Sequence, residues 1–189
     1  MPIYRTPKRG ISYSEALAAA YASAPEDDVL LDTLEFRHPL FLDEAGQPFG
    51  VRVVNDHAIL LATLEDDAPL NGGEEVEFLP VHFQFTRPSE TDSGSTPEAQ
   101  ITVDNVARHL VSYLDRAVTS RIPVEVTWRP YIASDLTAPH MVPPITLLMR
   151  NVQCGLSTVT ARIGYGNLTN MRFPAIEYTA RKFPALSAR

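Results

Sequence analysis

From Asp28 onward, apolar residues fall in short runs separated by turn-forming residues, the spacing of strands rather than helices. In VLLDTLEF (29–36), Leu30, Asp32, Leu34 and Phe36 face one way and Val29, Leu31, Thr33 and Glu35 the other. Neither face is cleanly apolar, which predicts a strand covered on both sides. VRVV (51–54) and HAILLATL (57–64) continue the pattern, with DEAGQPFG (43–50) and Asn55-Asp56 as turns, so the first three strands are expected to form a meander. After the strong turn signal Asn71-Gly72-Gly73, EEVEFLPVHFQF (74–85) alternates throughout; Pro80 has no N–H for a ladder and predicts an edge or bulge. ITLLMRNVQC and STVTARIGYG read as a strand pair turning near Gly155. Beyond it, AIEYT sits between two Phe-Pro steps and suits an extended segment.

A helical period occurs in two places. Val106, Leu110, Tyr113, Leu114 and Ala117 form one apolar stripe over Asn105–Val118, with Arg108, Ser112, Asp115 and Arg116 away from it and Asp104 or Asn105 as the cap. The strand Val124–Tyr131 follows. Val124, Val126, Trp128 and Pro130 share one of its faces, so the helix is expected to lie across a sheet, with Val106, Leu110, Leu114 and Trp128 as the structural residues of that packing. Near the start, Ser12 and Glu15 have the form of a capping box for a short helix over Tyr13–Ser23, stopped by Pro25. Residues 1–10 read as an extended arm, and 88–97 and 137–144 as loops.

Together these elements predict a mainly β (α+β) fold: an antiparallel β-barrel or sandwich with one flanking amphipathic helix and a short N-terminal helix. Residues 1–27 form the arm and short helix, and residues 28–189 a single β-rich domain with a C-terminal extension. With 189 residues, 44% hydrophobic and 21% charged, the chain is long and apolar enough to bury a substantial core.

Charge and cysteine content narrow the function classes. A net charge of −7 argues against general affinity for nucleic acid or anionic membranes, which requires clustered cations. No apolar run approaches the length of a membrane span, and the opening residues are broken up by Pro2, Arg5, Pro7, Lys8 and Arg9, so a soluble, unexported chain is expected. A single cysteine excludes an internal disulfide framework or an all-cysteine metal site and fits a reducing compartment.

Candidate chemistry is sparse. Cys154 could serve as a nucleophile if His82, His109 or His140 approached it, but no cysteine-protease signature surrounds it, and a small half-buried residue is the plainer reading. His38, His57, His82, His109 and His140 lack zinc-ligand spacing. The acidic clusters at 26–28, 43–44 and 65–67 lack a calcium-loop pattern, and GYGN (164–167) lacks phosphate-loop spacing and reads as a turn. No catalytic, cofactor-binding or metal-binding residues are assigned, and no cofactor or enzyme activity is expected.

LEFRHP (34–39), VRVVNDH (51–57), PVHFQFTRP (80–88), AQITVDNVARHLVSYLDRA (99–117) and YTARKFPAL (178–186) together resemble an uncharacterised family of bacteriophage tail proteins, domain of unknown function 1833. They are also similar to the amino-terminal region of the lambda-type minor tail protein L. The resemblance implies a fold of tail-tube type and a structural role in a phage or prophage virion. The chain would be made in the host cytoplasm and would assemble at the distal tail or tail tip as a trimeric or hexameric ring. Its partners would be copies of itself and the tube, hub and tape-measure proteins, with no membrane or specific nucleic acid. The cysteine-bound iron–sulfur part of the L type has no counterpart here. Two other readings are a β-sandwich module binding a host receptor or carbohydrate through Trp128, Tyr131 and Tyr165, and a tail-associated cell-wall hydrolase using Glu35, Asp56 or Cys154.

Overall fold

The computed structural model describes residues 12–13, 29–86, 98–104, 107–155 and 158–165. The elements are β1 (Ser12–Tyr13), β2 (Leu30–Arg37), β3 (Val51–Val54), β4 (Leu60–Thr63), β5 (Glu75–Pro80), β6 (Phe83–Thr86), β7 (Glu98–Asp104), α1 (Ala107–Val118), β8 (Glu125–Ile132), β9 (Met141–Val142), β10 (Ile145–Cys154) and β11 (Thr158–Gly164). Nine strands form one large sheet in the order β4-β5-β3-β2-β8-β10-β11-β7-β6, and β1 pairs separately with β9. The fold is mainly β and sandwich-like. The sheet does not close into a barrel, which removes that alternative.

Three expectations about the strands change. First, β4 does not pair with β3 as a meander requires: β5 lies between them, antiparallel to β4 and parallel to β3 through Val53–Leu79 and Val54–Pro80. Second, the run 74–85 is two strands, β5 and β6, which lie towards opposite ends of the sheet. The chain changes sides at Val81-His82, directly after Pro80. There Val81 N donates to Val54 O while Asp104 N donates to His82 O, so one bend touches both halves of the curled sheet. Third, Tyr13 is in a strand, paired with Met141, rather than at a helix start. The rest of the expected N-terminal helix, the arm and the AIEYT segment lie outside the described residues.

Turn chemistry follows the sequence closely. Asn71 (φ 57°) and Gly73 (φ 71°) both occupy the left-handed region that an Asn-Gly-Gly turn accommodates. Gly155 N donates to Thr158 O between β10 and β11.

The main core lies between the two halves of the curled sheet. It holds Leu34 and Phe36 from β2, Val53 from β3, Ile101 from β7, Trp128 from β8, Leu147 from β10 and Ile163 from β11. Leu110, Leu114 and Ala117 of α1 enter the same cluster, with Val111 and Tyr113 packed beside it. A second, smaller core joins Leu31 and Tyr131 to Leu60, Ala62, Val76 and Phe78 of the β4–β5 hairpin, which covers part of the other face of β2, β3 and β8.

Candidate functional site

The largest cluster of chemically capable side chains in the described residues is a buried ion network on that second face. Antiparallel pairing of β2 with β8 sets Thr33 opposite Arg129, Glu35 opposite Thr127 and Arg37 opposite Glu125, and β2–β3 pairing sets Glu35 opposite Arg52. Alternation places all of these on one side of the sheet.

Glu35 is fully buried. Its Oε1 accepts from Arg52 Nε at 2.9 Å and its Oε2 from Arg129 Nη1 at 2.8 Å, while Arg37 Nη1 stands 3.6 Å from Oε2. Arg129, also fully buried, forks onto Glu65 with its Nε and Nη2, both at 2.7 Å. This bidentate geometry is the strongest form of the pair. Arg37 Nη2 donates to Glu125 Oε2 and Thr127 Oγ1. Arg52 Nη2 donates to Asn71 Oδ1, and Asn71 Nδ2 to Glu74 Oε2, which ties in the turn.

Arg37, Arg52 and Arg129 are thus set against Glu35, Glu65 and Glu125, an equal number of opposite charges. Burial works against the Arg129 charge, yet its hydrogen bonds to Glu65 and the nearby Glu35 hold its pKa above the usual value. Burial likewise pushes the neighbouring Tyr131 phenol far up, and its hydroxyl donates to Thr63 O at 2.9 Å. Gly50 leaves room here: a Cβ at that position would stand 2.6 Å from Glu35 Oε1, so a larger residue must displace the clamped carboxylate.

Chemically, the network is a clamp. Glu35, with both oxygens taken by guanidinium groups and no exposure, is not placed to move a proton to or from a substrate. Asp56 is in an exposed turn and Cys154 at the end of β10, so the three hydrolase candidates sit on separate elements. Partial burial and Asp115 both raise the Cys154 thiol pKa, the reverse of an activated nucleophile. Among the described residues no group of three or more His, Cys, Asp or Glu could hold a metal ion. Asp43 instead caps its own turn by accepting from Ala45 N and Gln47 N.

His38 is buried, with Nε2 3.1 Å from Ile122 O and Nδ1 accepting from Leu40 N. His57 and His82 are exposed, His140 lies beside Asp135, and His109 is on α1. No described helix is long and apolar enough to cross a membrane.

Of the four expected packing residues, Leu110, Leu114 and Trp128 are buried in the main core, and Val106 lies outside the described residues. Trp128 Nε1 donates to Asp32 Oδ1 at 2.9 Å. Trp128 and Tyr131 are therefore core residues and offer no aromatic platform, whereas Tyr165 is 37% exposed. β8 turns its apolar side, Val126 and Trp128, to the main core as expected, but its polar face is buried too: seven of its eight residues are buried, because Arg129 finds charged partners there.

Fold and site together define a mainly β, sandwich-like domain whose conspicuous polar cluster pairs buried charges across neighbouring strands. The chain belongs to the family described as Domain of unknown function (DUF1833), whose model matches residues 16–178. No curated protein matches the chain.

Proposed function

We propose that the protein is a structural component of a bacteriophage or prophage tail, placed at the distal tail or tip, where copies assemble as a ring joining the tube to hub proteins. The observation that carries this reading is the contrast between a clamped interior and an apolar outer surface. Ile59, Leu61, Leu79, Phe49, Ile122 and Val142 are all at least 37% exposed, an amount of outward apolar surface that suits a subunit with neighbours. The resemblance of the residue pattern to tail proteins supports this identity for the assembly, and a network whose Glu35 is held by two guanidinium groups agrees with a mechanical role.

Trimer or hexamer formation, contacts with the tube and tape-measure proteins, and location in the virion all belong to this proposal. The test is sedimentation of the purified chain over a wide concentration range, with electron microscopy of tail particles carrying a tagged copy. The expected result is a closed ring in solution or a tagged ring at the distal tail. A monomer at high concentration, together with unlabelled tails, overturns it.

A further inference from the structure

Among the described residues β4 is the outermost strand of the sheet, and no other strand pairs along its outer edge. Thr63 N points away from β5 and donates to Leu136 O, so by antiparallel alternation Leu61, two residues back, presents its own N–H and C=O on that edge. On the outer face of the same hairpin, Leu61 (52% exposed) stands opposite Glu77. Continuing the register by one pair sets Ile59 (57% exposed) opposite Leu79.

Leu79 then lines a cavity of about 450 Å³ with Phe49, Val51, Arg52, Glu77 and Tyr113; Arg52 is already paired with Glu35, and Arg116 stacks on the Tyr113 ring at the far end, away from Glu75. The result is an apolar strip from Leu61 across Leu79 to Phe49, flanked by the exposed carboxylates of Glu75 and Glu77. Such a strip with an open strand edge suits an extended segment that adds along the strand and inserts side chains beside it.

The acidic flanks select a basic occupant. The sequence has two such segments outside the described part: residues 1–11, with Arg5, Lys8 and Arg9 but few apolar residues, and residues 166–189, with Arg172, Arg181, Lys182 and Arg189 against the single acid Glu177. Only the second spreads large apolar residues, Phe173, Ile176, Tyr178, Phe183 and Leu186, among its cations to fill a strip of this length. A second copy packing this same face on itself about a two-fold axis would instead set Glu75 and Glu77 near carboxylates of the same kind. We infer that residues 166–189 of one copy dock on the Leu61–Leu79–Phe49 strip of the next, so that the basic segment links successive subunits. The inference rests on the self-assembly proposed above and names its joint.

The experiment measures association by sedimentation velocity at low and moderate salt for the full chain and four variants. Leu61→Asp and Glu75→Lys/Glu77→Lys alter the strip at exposed positions, Arg181→Glu/Lys182→Glu alters the segment, and a chain ending at Tyr165 removes it. Each variant is expected to weaken self-association about tenfold or more, and mixing the two charge-reversed chains is expected to restore it. Circular dichroism matching the full chain confirms that a variant is folded. Because the charge-reversed pair leaves chain length intact, the mixing result stands even if the shortened chain fails to fold.

Undiminished self-association in the strip and segment variants overturns the docking while leaving the ring intact. A full chain that stays monomeric overturns both. Crosslinks from the segment to the strip within a single copy, in monomer fractions, overturn the linkage between subunits.

Discussion

On one side of β2, β3 and β8 lie Leu34, Phe36, Val53, Val126 and Trp128; on the other lie Glu35, Arg37, Arg52, Arg129 and Tyr131. The strands are the same and both faces are buried, yet opposite physics buries them. The apolar face is favoured by transfer out of water, about 1.5–3 kcal/mol for each large side chain. The ionic face gains little over a well-packed apolar alternative, because desolvation offsets the attraction between its charges. What it adds is intolerance: each member needs its partner, so strand register and the 64–74 loop are fixed together.

Breaking one side of this balance gives the largest effect. Arg129→Ala leaves Glu35 and Glu65 without their shared partner and is expected to cost about 3–5 kcal/mol, read as a drop in thermal midpoint by calorimetry. Leu114→Ala tests the apolar face, where truncation leaves a cavity beneath α1; the expected loss is about 2–5 kcal/mol with little dependence on salt. An Arg129→Ala effect well below that of Leu114→Ala would mean that water or a shifted side chain compensates the charges, and the contrast would fail.

Tyr131→Phe sharpens the comparison at the junction of the two cores. Losing the bond to Thr63 O should cost about 1 kcal/mol at neutral pH. The folded-state phenol pKa lies above that of the unfolded chain, so its contribution is complete below pH about 10 and is lost as pH rises further, where the unfolded state deprotonates first. Stability measured between pH 9 and 11, as round bounds on that ordinary value, should fall more steeply in the parent than in Tyr131→Phe. The smallest effect belongs to Glu125→Gln, whose partner Arg37 keeps Thr127 and whose own side chain is 49% exposed. Below about 1 kcal/mol is expected, and added salt should reduce it further.

The sequence exposed the apolar half of this arrangement far better than the ionic half. Alternation located β2, β3 and β10, and the helical stripe identified Leu110 and Leu114 as core. Glu35, Arg52 and Arg129 were invisible as a set because charges at every second position usually mark a solvated face, and although Arg52 is only 17 residues from Glu35, Arg129 is 94 away. One signal was present: VLLDTLEF has no cleanly apolar face, which predicted cover on both sides, and EVTWRPYI mixes Arg129 and Tyr131 into its second face in the same way. Pro80 flagged an interruption but not its size, since a missing donor says where a ladder breaks and not where the chain goes next. The exposed strip at Leu61 and Leu79 looked like ordinary strand interior, because alternation gives two faces without saying which one a neighbour covers.

The long separation between β2 and β8 also has a consequence in time. Thr33 and Arg129 are 96 residues apart in sequence, so during synthesis β2 emerges well before its principal partner exists. An unpaired strand rich in Leu and Phe is a template for pairing with other nascent chains, and Glu35 and Arg37, charged and still solvated at that stage, act as gatekeepers against it. Replacing Glu35 and Arg129 together by Leu removes this protection and also leaves Arg52 and Glu65 without their buried partners. The expected outcome is a lower native thermal midpoint and, on refolding at high concentration, a yield of soluble protein below that of Leu114→Ala, which lowers stability without touching the gatekeepers. The charges that lock the finished sheet would then also be those that keep its first strand apart from other chains until its partner is made.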